Sequence, residues 1–248
     1  MISRVAESGF STLDHALDLQ RNVEVALKRP RADRPGADRH FQTEVRVLGS
    51  VRHEHIVSLD DTGRDAEGDY LAMEWIAGRT LDRHIQAHTL TDTALSGILR
   101  PLLQALAVLH AAGFAHADLN ASNVMIPSDG QLKLIDFGNA SPLDDSRERS
   151  LSDPNIGSIH HMAPELFNGR SPSVRTDLYA IGVIAVQALT QHYPFDGETK
   201  AQIITAHLRH TCPPLPGSGL NQWIHQLLAR DPAARPGSVH EALQSLPT

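Results

Sequence analysis

The chain has one cysteine, Cys212, in 248 residues. That excludes an internal disulfide and suits a reducing compartment. Its neighbours Pro213 and Pro214 give the thiol no redox motif, so it reads as a bystander. Positive charge is also short: 22 Lys and Arg stand against 29 Asp and Glu, a formal net charge of −7. This balance removes any bulk electrostatic basis for binding nucleic acid, and the run Lys28-Arg29-Pro30-Arg31 is too short to restore it. No N-terminal stretch joins a basic flank to an apolar core, so no cleaved secretion signal is read. The longest apolar stretch, Leu178 to Leu189, is interrupted by Gly182 and Gln187 and falls short of a bilayer span. The expectation is a cytoplasmic protein with no nucleic-acid and no membrane partner. Repeats and low-complexity segments are lacking too. Fifteen histidines are present, but His53-x-His55, His160-His161 and His207-x-x-His210 have no partners at established metal-ligand spacings and read as solvated or packed.

What is there suffices for a sizeable core, with 41% hydrophobic and 21% charged residues. Up to about Ile76 the pattern favours short strands and one helix, with turns at Pro35-Gly36, Asp60-Asp61-Thr62-Gly63 and Glu67-Gly68. Val23 to Leu27 reads as a strand leading into Lys28. Phe41, Val45 and Leu48 recur at helical spacing around Glu44, and Tyr70 to Ile76 reads as a further buried strand. Beyond Ala77-Gly78 the pattern turns helical. Leu95, Ile98, Leu99, Leu102, Leu103, Leu106 and Leu109 form the stripe of a core-facing helix, closed by Gly113 in the left-handed conformation. Strand-like pieces at 124–126 and 132–135 flank a turn at Ser128-Asp129-Gly130, so Asn123 and Asp136 fall at the two ends of a hairpin. Further helices are expected over 177–191, 201–209, 220–229 and 239–246.

The chemistry concentrates between Phe114 and Gly138. His116-Ala117-Asp118-Leu119, Asn123 five residues past the aspartate, and Asp136-Phe137-Gly138 together suit a phosphoryl-transfer centre. One carboxylate, Asp118, can orient an attacking hydroxyl; Asn123 and Asp136 supply oxygen ligands for Mg²⁺ against nucleotide phosphates. Lys28 is a point charge suited to the phosphate oxygens, and Glu44 can hold it in place.

These residues resemble the eukaryotic-type (Hanks-type) serine/threonine protein kinases, in their bacterial form, over nearly the whole chain. Val25-Ala26-Leu27-Lys28 is similar to V-A-I-K, Glu44 to its helix partner, Asp118 and Asn123 to the catalytic-loop pair, and Asp136-Phe137-Gly138 to D-F-G. Ala163-Pro164-Glu165 resembles A-P-E, Asp177 to Gly182 resembles D-x-W-S-x-G, and Arg235 resembles the closing arginine, which implies a structural Glu165–Arg235 ion pair. The resemblance implies an α+β, bilobal fold: a small antiparallel-sheet N-lobe with one main helix (1–76) and a larger, mainly helical C-lobe (77–248), together a single kinase domain. It also implies ATP and Mg²⁺ as cofactors and a protein substrate. The resemblance implies an adenine slot in which Glu74 and Ile76 would present backbone groups, Met73 would take the gatekeeper position, and Ala26, Leu13 and Met125 would sandwich the ring.

Three positions depart from the family pattern. Ala6-Glu7-Ser8-Gly9-Phe10-Ser11 stands in the place of G-x-G-x-x-G, with Ala6, Ser8 and Ser11 replacing the motif glycines and Gly9 remaining nearby. Small side chains still let such a loop cover ATP, less tightly. Ala117 replaces the arginine of H-R-D, which argues against activation through a phosphorylated loop despite Ser141, Ser146, Ser150, Ser152 and Ser158. Asn120 replaces the lysine that meets the γ-phosphate, a feature also found in bacterial lipopolysaccharide sugar kinases and compatible with catalysis. Gly157-Ser158, Tyr193-Pro194-Phe195 and Asp231 to Pro236 favour a protein substrate over a sugar. A pseudokinase scaffold and a small-molecule kinase remain the alternatives. The end of the chain soon after Arg235 leads to the expectation of no appended sensor or anchor, with regulation through a partner protein.

Overall fold

A computed structural model describes residues 2–128, 130–144 and 159–247. The N-terminal part is a five-stranded antiparallel sheet in the order β1-β2-β3-β5-β4. Its strands are β1 (Ser3–Glu7), β2 (Ser11–Asp18), β3 (Val23–Pro30), β4 (Leu59–Asp65) and β5 (Gly68–Glu74). Helix α1 (Ala37–Ser50) connects β3 to β4 and packs on β3. Its buried residues, Ala37, His40, Phe41, Glu44, Val47 and Leu48, recur three and four apart, so one face of the helix carries both the packing and the acidic side chain. Gly36 starts the helix at φ 87°, which a side chain would disfavour.

One expectation is corrected. Asp60-Asp61-Thr62-Gly63 is not a turn but the body of β4, paired with β5 from Leu59↔Met73 to Asp65↔Gly68. A bulge between Leu59 and Asp61 absorbs the extra residue, and the Asp61 carboxylate accepts from Tyr70 Oη at 2.9 Å. The polar residues sit on an edge strand exposed to water, where turn-like composition carries no penalty. The reversal comes later, where Gly68 adopts φ 116°.

The remainder is mainly helical: β6 (Gly78–Thr80), α2 (Leu81–Ala87), α3 (Asp92–Ala111), β7 (Phe114–Ala115), β8 (Val124–Pro127), β9 (Lys133–Leu134) and β10 (Ser141–Pro142), then α4 (Val174–Thr190), α5 (Lys200–Arg209), α6 (Asn221–Leu227) and α7 (Val239–Ser245). Helix α3 begins at the Thr91 cap and ends before Gly113, whose φ of 87° is the left-handed closure expected. By length and composition α3 could cross a membrane, yet Leu95, Leu99, Leu102, Leu103, Leu106 and Leu109 are all fully buried and the helix packs on α4 and α7. Each buried leucine contributes roughly 1.5–3 kcal/mol. Helix α4 is buried on every side from Thr176 to Ala188 and forms the centre of this part. Hairpin β8-β9 pairs with β6, and a parallel bridge between Ile56 and Leu134 ties it to the chain that precedes β4. Asp129, Ser146, Ser150, Ser152, Gly157 and Ser158 lie outside the described residues.

Candidate active site

Lys28 projects from β3 toward α1. Its Nζ lies 2.6 Å from Glu44 Oε2 and 3.0 Å from Asp136 Oδ1, so three residues far apart in sequence converge on one charge cluster. Glu44 is buried, Lys28 is largely so, and Asp136 is half-exposed. Burial alone would depress the Lys28 ammonium; the carboxylates of Asp136 and Glu44 outweigh it and hold its pKa above the usual value. Burial raises the Glu44 carboxyl, with Lys28 acting against that rise. Asp136 feels the same opposition with the reverse result, since Lys28 outweighs desolvation and holds its carboxyl below the ordinary range.

The segment around Asp118 is shaped by a buried acceptor on α4. Asp177 accepts from the His116 N–H at 2.8 Å and the Ala117 N–H at 3.0 Å, and its Oδ2 lies 2.7 Å from His110 Nε2. Ala117 is thereby held at φ 64°, a conformation that costs a non-glycine residue about 1 kcal/mol. Downstream, Asn120 caps a 3-10 turn over Ala121–Asn123 by accepting from the Ser122 N–H at 2.9 Å. The Asn120 amide also donates to the Asp118 carbonyl at 3.0 Å and lies 3.4 Å from Asp118 Oδ1. Asn123 Nδ2 donates to the same carbonyl at 2.9 Å, and its side-chain oxygen has no hydrogen-bond partner among the described residues. Asn139 Nδ2 reaches Asp118 Oδ2 at 2.9 Å from just beyond Asp136-Phe137-Gly138.

Above this cluster, β1 and β2 meet in a tight turn. Ser8 Oγ accepts from the Ser11 N–H at 3.0 Å and the Phe10 N–H at 3.3 Å, and lies 3.1 Å from Ser11 Oγ. Gly9 stands at the tip, and Ala6 pairs with Leu13 across the hairpin. The Phe10 ring stacks on His40 of α1 at 4.0 Å, and His40 in turn packs so closely on Gly138 that a Cβ there would meet its Nδ1 at 3.1 Å. Turn, helix and Asp-Phe-Gly segment are therefore in contact. Together with Asp118 they enclose a cavity of about 210 Å³ lined by Ser8, Lys28, Glu44, Asp118, Asp136 and Asn139, among others.

The residues expected to form an adenine slot lie beside the strand junction. Ala26 and Met73 are cross-strand partners, as are Leu13 and Lys28, while Met125 belongs to β8 in the helical part. Ile76 falls between β5 and β6, outside both strands. Glu74 ends β5, and its carboxylate bridges the Ser58 N–H and Lys133 Nζ, both at 2.8 Å. Trp75 stacks on His15 at 3.8 Å.

The implied Glu165–Arg235 pair is present and buried, with Nη1 to Oε1 at 2.7 Å and Nη2 to Oε2 at 2.8 Å. The sequence missed three residues that shape the site. Asp177 counted only as a motif marker, while Asn139 and His40 belonged to no motif; only contacts across many residues reveal them.

A two-part fold with a Lys–Glu–Asp cluster and an aspartate-bearing loop in the same cavity is the arrangement of the protein kinase class. The chain matches the protein kinase domain family over residues 3–246 and belongs to that family. It is similar to the probable serine/threonine-protein kinase PknB of Lactococcus lactis, 34% identical over 192 residues, covering 76% of this chain and 30% of the relative. It is also similar to serine/threonine-protein kinase PrkC of Bacillus subtilis, 30% identical over 213 residues, covering 84% and 33%. Serine/threonine-protein kinase PknL of Mycobacterium bovis is 31% identical over 207 residues, covering 81% and 51%. The chain spans about a third to a half of the length of these relatives. Membership of this bacterial Hanks-type group implies ATP as the phosphoryl donor.

Proposed function

We propose that this chain transfers the γ-phosphoryl group of ATP to serine or threonine hydroxyls of a protein, acting as one kinase domain. The carrying observation is the Lys28 ammonium between Glu44 at 2.6 Å and Asp136 at 3.0 Å. Lys28 binds α- and β-phosphate oxygens and Glu44 fixes its reach. Asp118 orients the acceptor hydroxyl and takes its proton as the P–O bond forms, while the γ-phosphoryl leaves ADP. Asn120 braces the Asp118 segment. Asp136 and Asn123 offer the hard oxygen donors that suit Mg²⁺, and the half-exposed Asp136 carboxylate and the Asn123 oxygen, which has no partner among the described residues, fit that ion. When bound, Mg²⁺ neutralises charge that develops on the phosphates. Ala26, Leu13, Met73 and Met125 enclose the adenine, which Glu74 and Ile76 meet through backbone groups. Ala6, Ser8, Gly9 and Ser11 cover the phosphates. A cytoplasmic location and a regulatory protein partner complete the reading.

One observation favours the pseudokinase alternative: the Ser8 hydroxyl engages the turn N–H groups that a phosphate would otherwise use. Mass-spectrometric mapping of phosphosites after incubating wild type and Asp118→Asn with Mg·ATP separates the two. Phosphoserine or phosphothreonine in the wild type alone supports the kinase. Nucleotide binding with no phosphosite in either protein refutes it.

A further inference from the structure

We propose that Asn139 is a positioning residue for Asp118, orienting the base through a neutral hydrogen bond and taking over work that Asn120 does not perform. The inference rests on the kinase reading of Asp118. Asn139 follows the Asp136-Phe137-Gly138 turn, which is closed by the Ala140 N–H donating to the Phe137 carbonyl at 3.0 Å. From there its Nδ2 donates to Asp118 Oδ2 at 2.9 Å. The amide orientation is set by chemistry: an ionised carboxylate only accepts, so the nitrogen must face it.

The other end of the same amide strengthens the point. Asn139 Oδ1 is buried and has no hydrogen-bond partner among the described residues. An apolar side chain of equal size would fill the space without stranding an acceptor, so the amide is accounted for by its bond to Asp118. Asn120 cannot do the same work. Its oxygen is committed to the Ser122 N–H, and its nitrogen lies 3.0 Å from the Asp118 carbonyl but 3.4 Å from the carboxylate. Of the two asparagine amides, Asn139 makes the shorter bond to the carboxylate. A donor on Oδ2 fixes the plane of the carboxylate and directs Oδ1 to the acceptor hydroxyl.

The test compares wild type, Asn139→Leu, Asn139→Gln and Asn139→Asp in steady-state kinetics with Mg·ATP and a serine/threonine peptide mixture. Asn139→Leu is expected to lower kcat about tenfold with the KM for ATP within about twofold. Asn139→Gln keeps a donor and recovers part of the loss. Asn139→Asp, which has no donor when ionised, falls at least as far as Asn139→Leu and serves in its place should that variant show no melting transition. An unchanged kcat in Asn139→Leu, a loss carried by KM with kcat unmoved, or equal losses in Leu and Gln overturns this proposal alone. Absence of turnover in the wild type refutes the kinase reading and this proposal with it.

Discussion

Ser8 Oγ lies 3.0 Å from the Ser11 amide nitrogen and accepts its hydrogen bond, in a turn where the family places glycine. The hydroxyl thus occupies part of the N–H cradle that would meet a phosphate. A nucleotide has to displace it, at a cost of about 1 kcal/mol for the exchanged hydrogen bond.

Replacement of that side chain should therefore tighten nucleotide binding. Ser8→Gly is expected to lower the KM for ATP roughly three- to fivefold with little change in kcat, which follows from the same 1 kcal/mol. Initial rates across ATP concentration check this. A KM that rises would show instead that the hydroxyl helps hold ATP.

Asp177 gives a stability prediction. Asp177→Ala strands the N–H groups of His116 and Ala117 and removes the partner of His110. The expected cost is about 3–5 kcal/mol, from roughly 1–3 kcal/mol per unsatisfied buried group. Asp177→Asn keeps one acceptor and should cost about half as much. Urea denaturation of the three proteins measures both values.

The Glu165–Arg235 pair separates stability from chemistry. Glu165→Ala leaves a fully buried guanidinium without its carboxylate and should cost about 3–5 kcal/mol. The double variant Glu165→Ala/Arg235→Met should recover part of that loss, because it removes the uncompensated charge. Melting temperatures and a double-mutant comparison decide; equal stability of single and double variants counts against the argument.

Acid should weaken the fold through two buried histidines. Burial pulls His161 down to about 3 and His207 to about 4, and His207 Nδ1 lies 2.8 Å from Tyr179 Oη. Both folded values lie below the unfolded value of about 6.5, so the stability they contribute is complete above that pH and is lost as pH falls toward 4 and 3. The slope is about 1.4 kcal/mol per pH unit for each histidine. Chemical denaturation at pH 7, 6 and 5 should show the loss, and His161→Leu should flatten it.

The parts legible in the sequence are those where one residue type at one spacing has few alternatives. Lys28 ends an apolar run and Glu44 sits on the buried stripe of a helix, so their pairing follows from period and position. The α3 stripe and Gly113 were readable for the same reason. β4 was not, since Asp60 to Gly63 have the composition of a turn and become a strand only through pairing with β5 and a bulge. Asn139 and His40 were invisible for a different reason: their importance is a contact, one to Asp118 and one to Phe10, that no local pattern encodes.

The most direct measurement is the rate of γ-phosphate transfer from Mg·ATP to a serine/threonine peptide mixture by wild type, Lys28→Met and Asp118→Asn. The account predicts steady transfer by the wild type, a loss of at least about a hundredfold in each variant, and melting temperatures near the wild-type value in Asp118→Asn. Transfer by Asp118→Asn at the wild-type rate, or none by a wild type that binds ATP, would contradict it.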